Sequence, residues 1–190
     1  MDDETYVQAD LKQIKSQQFY SSDKRGNVPA KFKHQKLDKF PKKYIIWQAI
    51  SQCGLKSRVF VGSGTINQKI YVEECLQKRL LPLIKCHKQK PLFWLDLASC
   101  DYGKMAMDWY KQNNVNVVVR DMNPPNCPEL RPIERYWALM KRKLQKYKKF
   151  TKDIASFKYY WTKASTELSR SSVQALMNGI LSKVRKFAYS

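Results

Sequence analysis

The run Leu92-Phe-Trp-Leu-Asp-Leu97 constrains this chain more than any other, because it is nearly apolar throughout and carries one charge, Asp96. A strand that is apolar on both faces lies between two layers of other elements. A carboxylate buried there must be protonated, paired or bound to a cation. No Lys or Arg lies within five residues of Asp96, the nearest being Lys90. A divalent metal shared with a second carboxylate is the natural partner, since hard cations take oxygen ligands.

The rest of the chain supplies those layers. Glu4 to Ala9 reads as a short strand, and Leu11 to Lys43, with ten Lys/Arg against Asp23 and Asp38, as a basic, loop-rich insertion. Tyr44 to Ile50 and Arg58 to Val61 are β-branched and aromatic runs joined through Gly54, an antiparallel hairpin. Asn67 to Leu81 has helical spacing, with Pro82 expected to kink it or open a short second helix toward Cys86. A helix from Gly103 to Gln112, a strand from Val115 to Val119 and a Pro-rich turn from Asn123 to Pro132 follow. Three closing helices are predicted at Pro132 to Tyr147, Ile154 to Leu168 and Val173 to Phe187. Strands first, then strands alternating with helices, give a mixed α/β layer fold.

At 190 residues and 43% hydrophobic content the chain closes one core, so 1–190 reads as a single domain. Lys+Arg total 36 against Asp+Glu 16, and a net charge of +20 calls for a polyanionic partner. The basic residues are spread along the chain and no apolar run approaches membrane-spanning length, which favours nucleic acid over lipid. Lys31, Lys33 and Lys36 in the insertion, and Lys141, Arg142 and Lys143 within the run Lys141 to Lys149, are the candidate phosphate contacts. The same run also reads as a nuclear-import signal.

Five cysteines, an odd number with no C-x-x-C pair, are expected to be free thiols in a reducing compartment. With only His34 and His87 besides, no zinc site and no Cys-His nucleophile is expected.

Three acids stand out by context: Asp3 beside the first strand, Asp96, and Glu134. Glu134 lies one step round from Ile133 on a helix whose inward stripe is Ile133, Tyr136, Trp137, Met140 and Leu144. It therefore sits at the rim of the packed face, and Pro132 fixes where the turn starts.

The block Pro124-Pro-Asn-Cys-Pro-Glu-Leu-Arg-Pro-Ile-Glu-Arg-Tyr-Trp137 resembles the P-P-x-S-P-x-L-N-P-I-E-x-x-W signature of mariner-superfamily transposases, whose Glu is the third metal-binding acid. Trp94-Leu-Asp-Leu-Ala-Ser-Cys100 is similar to the second-acid strand of that family, and Met1-Asp-Asp-Glu-Thr-Tyr6 to its first-acid segment. Between Asp3 and Asp96 lie 92 residues, and between Asp96 and Glu134 lie 37, spacings that suit the superfamily.

The resemblance implies an RNase H-like, DDE-type catalytic domain with a truncated first strand and C-terminal helices over about 132–188. Asp3, Asp96 and Glu134 would hold two Mg²⁺ or Mn²⁺ ions for in-line phosphodiester attack. It implies DNA, both transposon ends and target, as partner, the nucleus as compartment, and admits a homodimer. The N-terminal helix-turn-helix half of the family is missing from this sequence, and a non-catalytic nucleic-acid-binding descendant is the rival reading. Departures fall at Cys127 and Arg131, in place of Ser and Asn, and at Asp101, in place of His. Asp101 has two readings, a helix N-cap or a fourth carboxylate that impairs the metal site, the second being favoured.

Overall fold

The computed structural model describes residues 1–12, 14, 27, 39–125, 127 and 130–188. Strand β1 (Asp2–Gln8) pairs antiparallel with β2 (Lys43–Ala49) along its whole length, Asp3 opposite Gln48 and Tyr6 opposite Ile45. Strand β3 (Phe60–Gly62) pairs antiparallel with the other edge of β2, so β2 is central. The β2–β3 connection turns at Gly54, whose φ of +81° favours glycine, and a Cβ there would lie 2.2 Å from the Arg170 carbonyl oxygen.

Helix α1 runs as Gln68–Ile70, a π-wound stretch Tyr71–Leu80 and a last segment Leu81–Lys85. Asn67 caps its start by accepting from the Ile70 amide at 2.9 Å. Pro82 falls in the first turn of the last segment, where its missing N–H costs little, so the helix continues past it. Strand β4 (Leu92–Phe93), helix α2 (Lys104–Gln112) and strand β5 (Asn116–Val117) form a right-sized crossover unit, β4 and β5 pairing parallel. Helices α3 (Pro132–Lys146), α4 (Ile154–Thr166), α5 (Arg170–Met177) and α6 (Ile180–Ala188) close the chain.

The alternation of β2 divides the interior in two. Tyr44, Ile46 and Ile50 face a core shared with Ile133, Trp137, Met140, Phe157 and Trp161 of α3 and α4. Ile45, Trp47 and Ala49 face a second core with Tyr71, Leu76, Leu80, Ala106 and Tyr110 of α1 and α2. Helices therefore cover both faces of the sheet, which is why β2 is buried from Tyr44 onward. Gln48, buried among aromatic rings, is satisfied by donation from the Tyr136 hydroxyl at 2.8 Å and the Trp161 indole at 3.2 Å, and by its own donation to the Ser57 carbonyl at 2.7 Å.

Three expectations change. The apolar run does not continue as a doubly covered strand: pairing stops at Phe93, Leu92 is 66% exposed, and burial alternates through Phe93 and Leu95. The closing helix breaks at Asn178-Gly179, where φ is +79° at Gly179, so Val173 to Phe187 is two helices. The start of the basic insertion belongs to the core, with Leu11 and Ile14 buried and the Leu11 amide donating to the Lys149 carbonyl at 2.8 Å.

Candidate active site

Alternation along β1 sends its acids in opposite directions. Asp3 faces α3: its Oδ2 accepts from the Trp137 indole at 2.9 Å and its Oδ1 from the Glu4 amide at 2.7 Å. It is 8% exposed, and burial pushes its carboxyl up to about 7, the indole bond opposing, with the charges of Asp96 and Glu134 adding to the rise. Those two contributions place the three sequence-predicted acids in one electrostatic neighbourhood.

Asp96 lies three residues past β4, with its side chain 39% exposed, so the premise of a carboxylate buried in an apolar strand is corrected. It also has a cationic partner that sequence distance hid: the Arg131 Nη2 stands 3.5 Å from Asp96 Oδ1. The same guanidinium donates from Nη1 to the Leu95 carbonyl and from Nη2 to the Asp2 carbonyl, both at 3.0 Å. Arg131 thus staples the first-acid strand to the second-acid segment, with its fork aimed at three oxygens.

Glu134 occupies the first turn of α3, after Pro132, and is exposed, where a carboxylate complements the helix dipole. Among the described residues no three His, Cys, Asp or Glu side chains are gathered closely enough to hold a metal ion. Asp3 is turned to Trp137 and Asp96 to Arg131, so the acids share a neighbourhood without converging.

A second acidic group lies on the opposite face of β1, and of its members the sequence singled out Asp101 but neither Asp2 nor Glu4. Asp2 is 1% exposed, and its Oδ2 accepts from the Trp47 indole at 3.0 Å and the Tyr71 hydroxyl at 2.8 Å, while Oδ1 has no partner among the described residues. Burial raises its carboxyl, and the same cause, followed by the charges of Asp2 and Asp96, pushes Glu4 up to about 7. Asp101 belongs to this group: it is 2% exposed, and burial first, then the Asp2 charge, pushes its carboxyl up to about 9. The cap reading of Asp101 is corrected, since Gly103 precedes α2 at the cap position, and the raised carboxyl favours its neutral form. The one signal available was the period-two pattern of Asp2, Asp3 and Glu4 in a strand.

Of the predicted phosphate contacts, Lys31, Lys33 and Lys36 lie outside the described residues. Lys141 donates to Thr5 Oγ1 at 2.9 Å beside the acids, Lys143 pairs with Glu167 at 3.6 Å, and Arg142 is exposed. Lys146, Lys148 and Lys149 extend the exposed basic surface beyond it.

All five cysteines are free, as expected. One Cys-His contact that the sequence did not make recognisable is present: Cys53 Sγ lies 3.2 Å from His87 Nε2, across 34 residues of sequence. No local spacing could have shown it, since the β2–β3 turn and the end of α1 bring them together. No described helix is long and apolar enough to cross a membrane.

A three-stranded antiparallel sheet, a parallel unit after it, helices on both faces, and acids on β1, after β4 and at the head of α3 define an RNase H-like α/β domain. Residues 3–158 match the family model described as the DDE superfamily endonuclease, and the chain belongs to that family. Its fold is similar to that of the Mos1 transposase in the paired-end complex with the left transposon end, at TM-score 0.71 and 16% identity over 94% of this chain and 51% of that one. The Mos1 mariner paired-end complex with Mn gives TM-score 0.72 and 16% identity over 96% of this chain and 52% of that one. The catalytic domain of Mos1 alone gives TM-score 0.61 and 16% identity over 73% of this chain and 69% of that one. The chain spans about half the length of the first two of these transposases. No curated protein matches it.

Proposed function

We propose that this chain is the catalytic domain of a transposase, cutting DNA phosphodiester bonds and joining the freed ends to target DNA, with Asp3, Asp96 and Glu134 as its metal-holding acids. The observation that carries the reading is that the match to the DDE superfamily endonuclease, residues 3–158, spans all three acids, which come from β1, the segment after β4 and the head of α3. As a donor set they fit Mg²⁺ or Mn²⁺, because all are hard carboxylate oxygens and their mutual repulsion is what a divalent cation relieves. When bound, a pair of such ions supplies an activated water or 3′-hydroxyl and stabilises the leaving oxygen.

The chain's own residues have separable tasks. Trp137 and the Glu4 amide fix the orientation of Asp3, while Pro132 sets the turn that presents Glu134. Lys141, beside Glu134 and Asp3, is placed to meet a phosphate at the acids, and Arg142 and Lys146 to meet the backbone further out. Transposon ends and target DNA are the proposed partners, the nucleus the compartment, and a homodimer the assembly that would hold two ends.

The test is Mn²⁺-dependent nicking of supercoiled plasmid by this chain beside Asp96→Asn and Glu134→Gln. Nicking lost in both variants supports the reading. Nicking retained in both would assign it to something other than these acids. The Arg131–Asp96 contact favours one rival, a domain that binds DNA without turnover because a guanidinium occupies its second acid. That rival expects DNA retention on a filter and no Mn²⁺-dependent nicking.

A further inference from the structure

Outside the acidic site, one cluster has the makings of a reactive centre. Cys53, in the β2–β3 turn, places Sγ 3.2 Å from His87 Nε2 and 3.2 Å from Ser51 Oγ. His87 Nδ1 stands 2.8 Å from the Leu83 carbonyl oxygen. A carbonyl only accepts, so Nδ1 carries the proton and Nε2 of the neutral ring is left as the acceptor facing the thiol. The thiol, the base and the group that orients the base are therefore in the order that nucleophilic activation requires.

The turn that carries Cys53 is held from outside. The Arg170 Nε donates to the Cys53 carbonyl at 2.7 Å, and Gly54 packs its Cα against the Arg170 backbone. The thiol and imidazole open on a cavity of about 750 Å³ walled on its apolar side by Ile84, Phe93 and Met177. Its charged lining is Lys88 and Lys90, both of one sign. A cavity of that size admits a small organic molecule.

We propose that Cys53, activated by His87, is a covalent modification site for small apolar electrophiles of the α,β-unsaturated carbonyl class. The Cys53 proton passes to His87 Nε2, and the thiolate attacks the β-carbon. An S–C bond forms, the C=C π bond breaks, and its electron pair moves through the α-carbon onto the carbonyl as an enolate. The imidazolium returns its proton to the α-carbon, leaving a neutral thioether and a neutral ring. Nothing is oxidised and no leaving group departs.

Burial works against the thiolate of Cys53, but bonds from Ser51 and the Leu55 backbone, with the charge and bond of His87, outweigh it and bring the thiol down to about 7. Against an ordinary thiol near 8.5, the ionised fraction at pH 7 rises by roughly 15-fold, and the weaker intrinsic nucleophilicity of a low-pKa thiolate trims the gain to ~3-fold.

The experiment treats the chain at pH 7 with substoichiometric N-phenylmaleimide and reads each cysteine by peptide mass spectrometry. Cys86 is the exposed internal reference and buried Cys75 the reporter of an intact fold. The expected result is Cys53 labelled at least ~3-fold faster than Cys86, with Cys75 untouched. In His87→Gln the Cys53 rate falls to that of Cys86 and its pH profile moves upward. Equal or faster labelling of Cys86 in the unmodified chain overturns the proposal without recourse to any variant. So does an unchanged Cys53 rate in a His87→Gln protein whose Cys75 stays protected.

Discussion

Arg131→Asn is the most informative single change, because one guanidinium touches both acid-bearing segments. Its removal leaves the Leu95 carbonyl with the Asn123 amide as its donor, takes the charged donor at 3.0 Å from the Asp2 carbonyl, and frees Asp96 from a contact at 3.5 Å. Two charge-assisted bonds at ~1.5 kcal/mol each, plus less than ~1 kcal/mol for a half-exposed ion pair, put the metal-free loss at about 3–4 kcal/mol. For a domain of this size that is a fall in Tm of roughly 10 °C. Metal affinity moves the other way. A unit positive charge ~5 Å from a divalent ion repels it by about 2 kcal/mol even at the dielectric of water, so removal tightens binding by at least ~10-fold. Isothermal titration with Mn²⁺ measures this directly, and differential scanning calorimetry with and without Mn²⁺ gives both signs in one protein. Arg131→Lys keeps the charge and loses the fork, so it should share the stability loss and show no gain in affinity. A folded Arg131→Asn protein with unchanged or weaker Mn²⁺ binding would refute the reasoning that Arg131 and a cation compete for Asp96.

The other predictions concern charge in the same region. Asp3 has its carboxyl raised from 3.8 to about 7, so the folded state binds more protons than the unfolded chain between those values, and stability is full below pH 4 and lost as pH rises through 7. On the order of 3–4 kcal/mol is at stake, so thermal melts of the metal-free protein should show Tm falling from pH 5 to pH 8. A Tm that rises over that range in Asp3-containing protein, or is indifferent to Asp3→Asn, counts against the burial argument. Asp101→His should leave Mn²⁺-dependent nicking no higher than in the unmodified chain, since burial and the Asp2 charge raise the native carboxyl and favour its neutral form, and a clear gain would count against that. DNA affinity should fall linearly in log K against log salt, and Arg142→Glu, on the exposed face, should flatten the slope by ~1 to 2. A slope unaffected by Arg142→Glu would remove α3 from the DNA-facing surface.

Much of the fold was legible in the order of residues because it rests on local periodicity. Ile133, Tyr136, Trp137, Met140 and Leu144 are all buried on α3, as their helical spacing required, and Tyr44 to Ala49 alternate between two cores. The family, too, was carried by a contiguous block, Pro124 to Trp137, which folding does not rearrange. What the sequence could not express was anything decided across long separations. Asp96 lacks a cation along the chain because no basic residue lies near it, yet Arg131 reaches it across 35 residues from its place beside Leu95. Asp101 was read by its distance from a helix start, whereas its burial beside Asp2 controls its proton. Cys53 and His87 each looked ordinary until a turn and a helix end brought sulfur and nitrogen to 3.2 Å. Local propensity sets which element a residue joins. Charge state and reactivity depend on desolvation and on partners a few ångströms away, and those exist only after the chain has closed on itself.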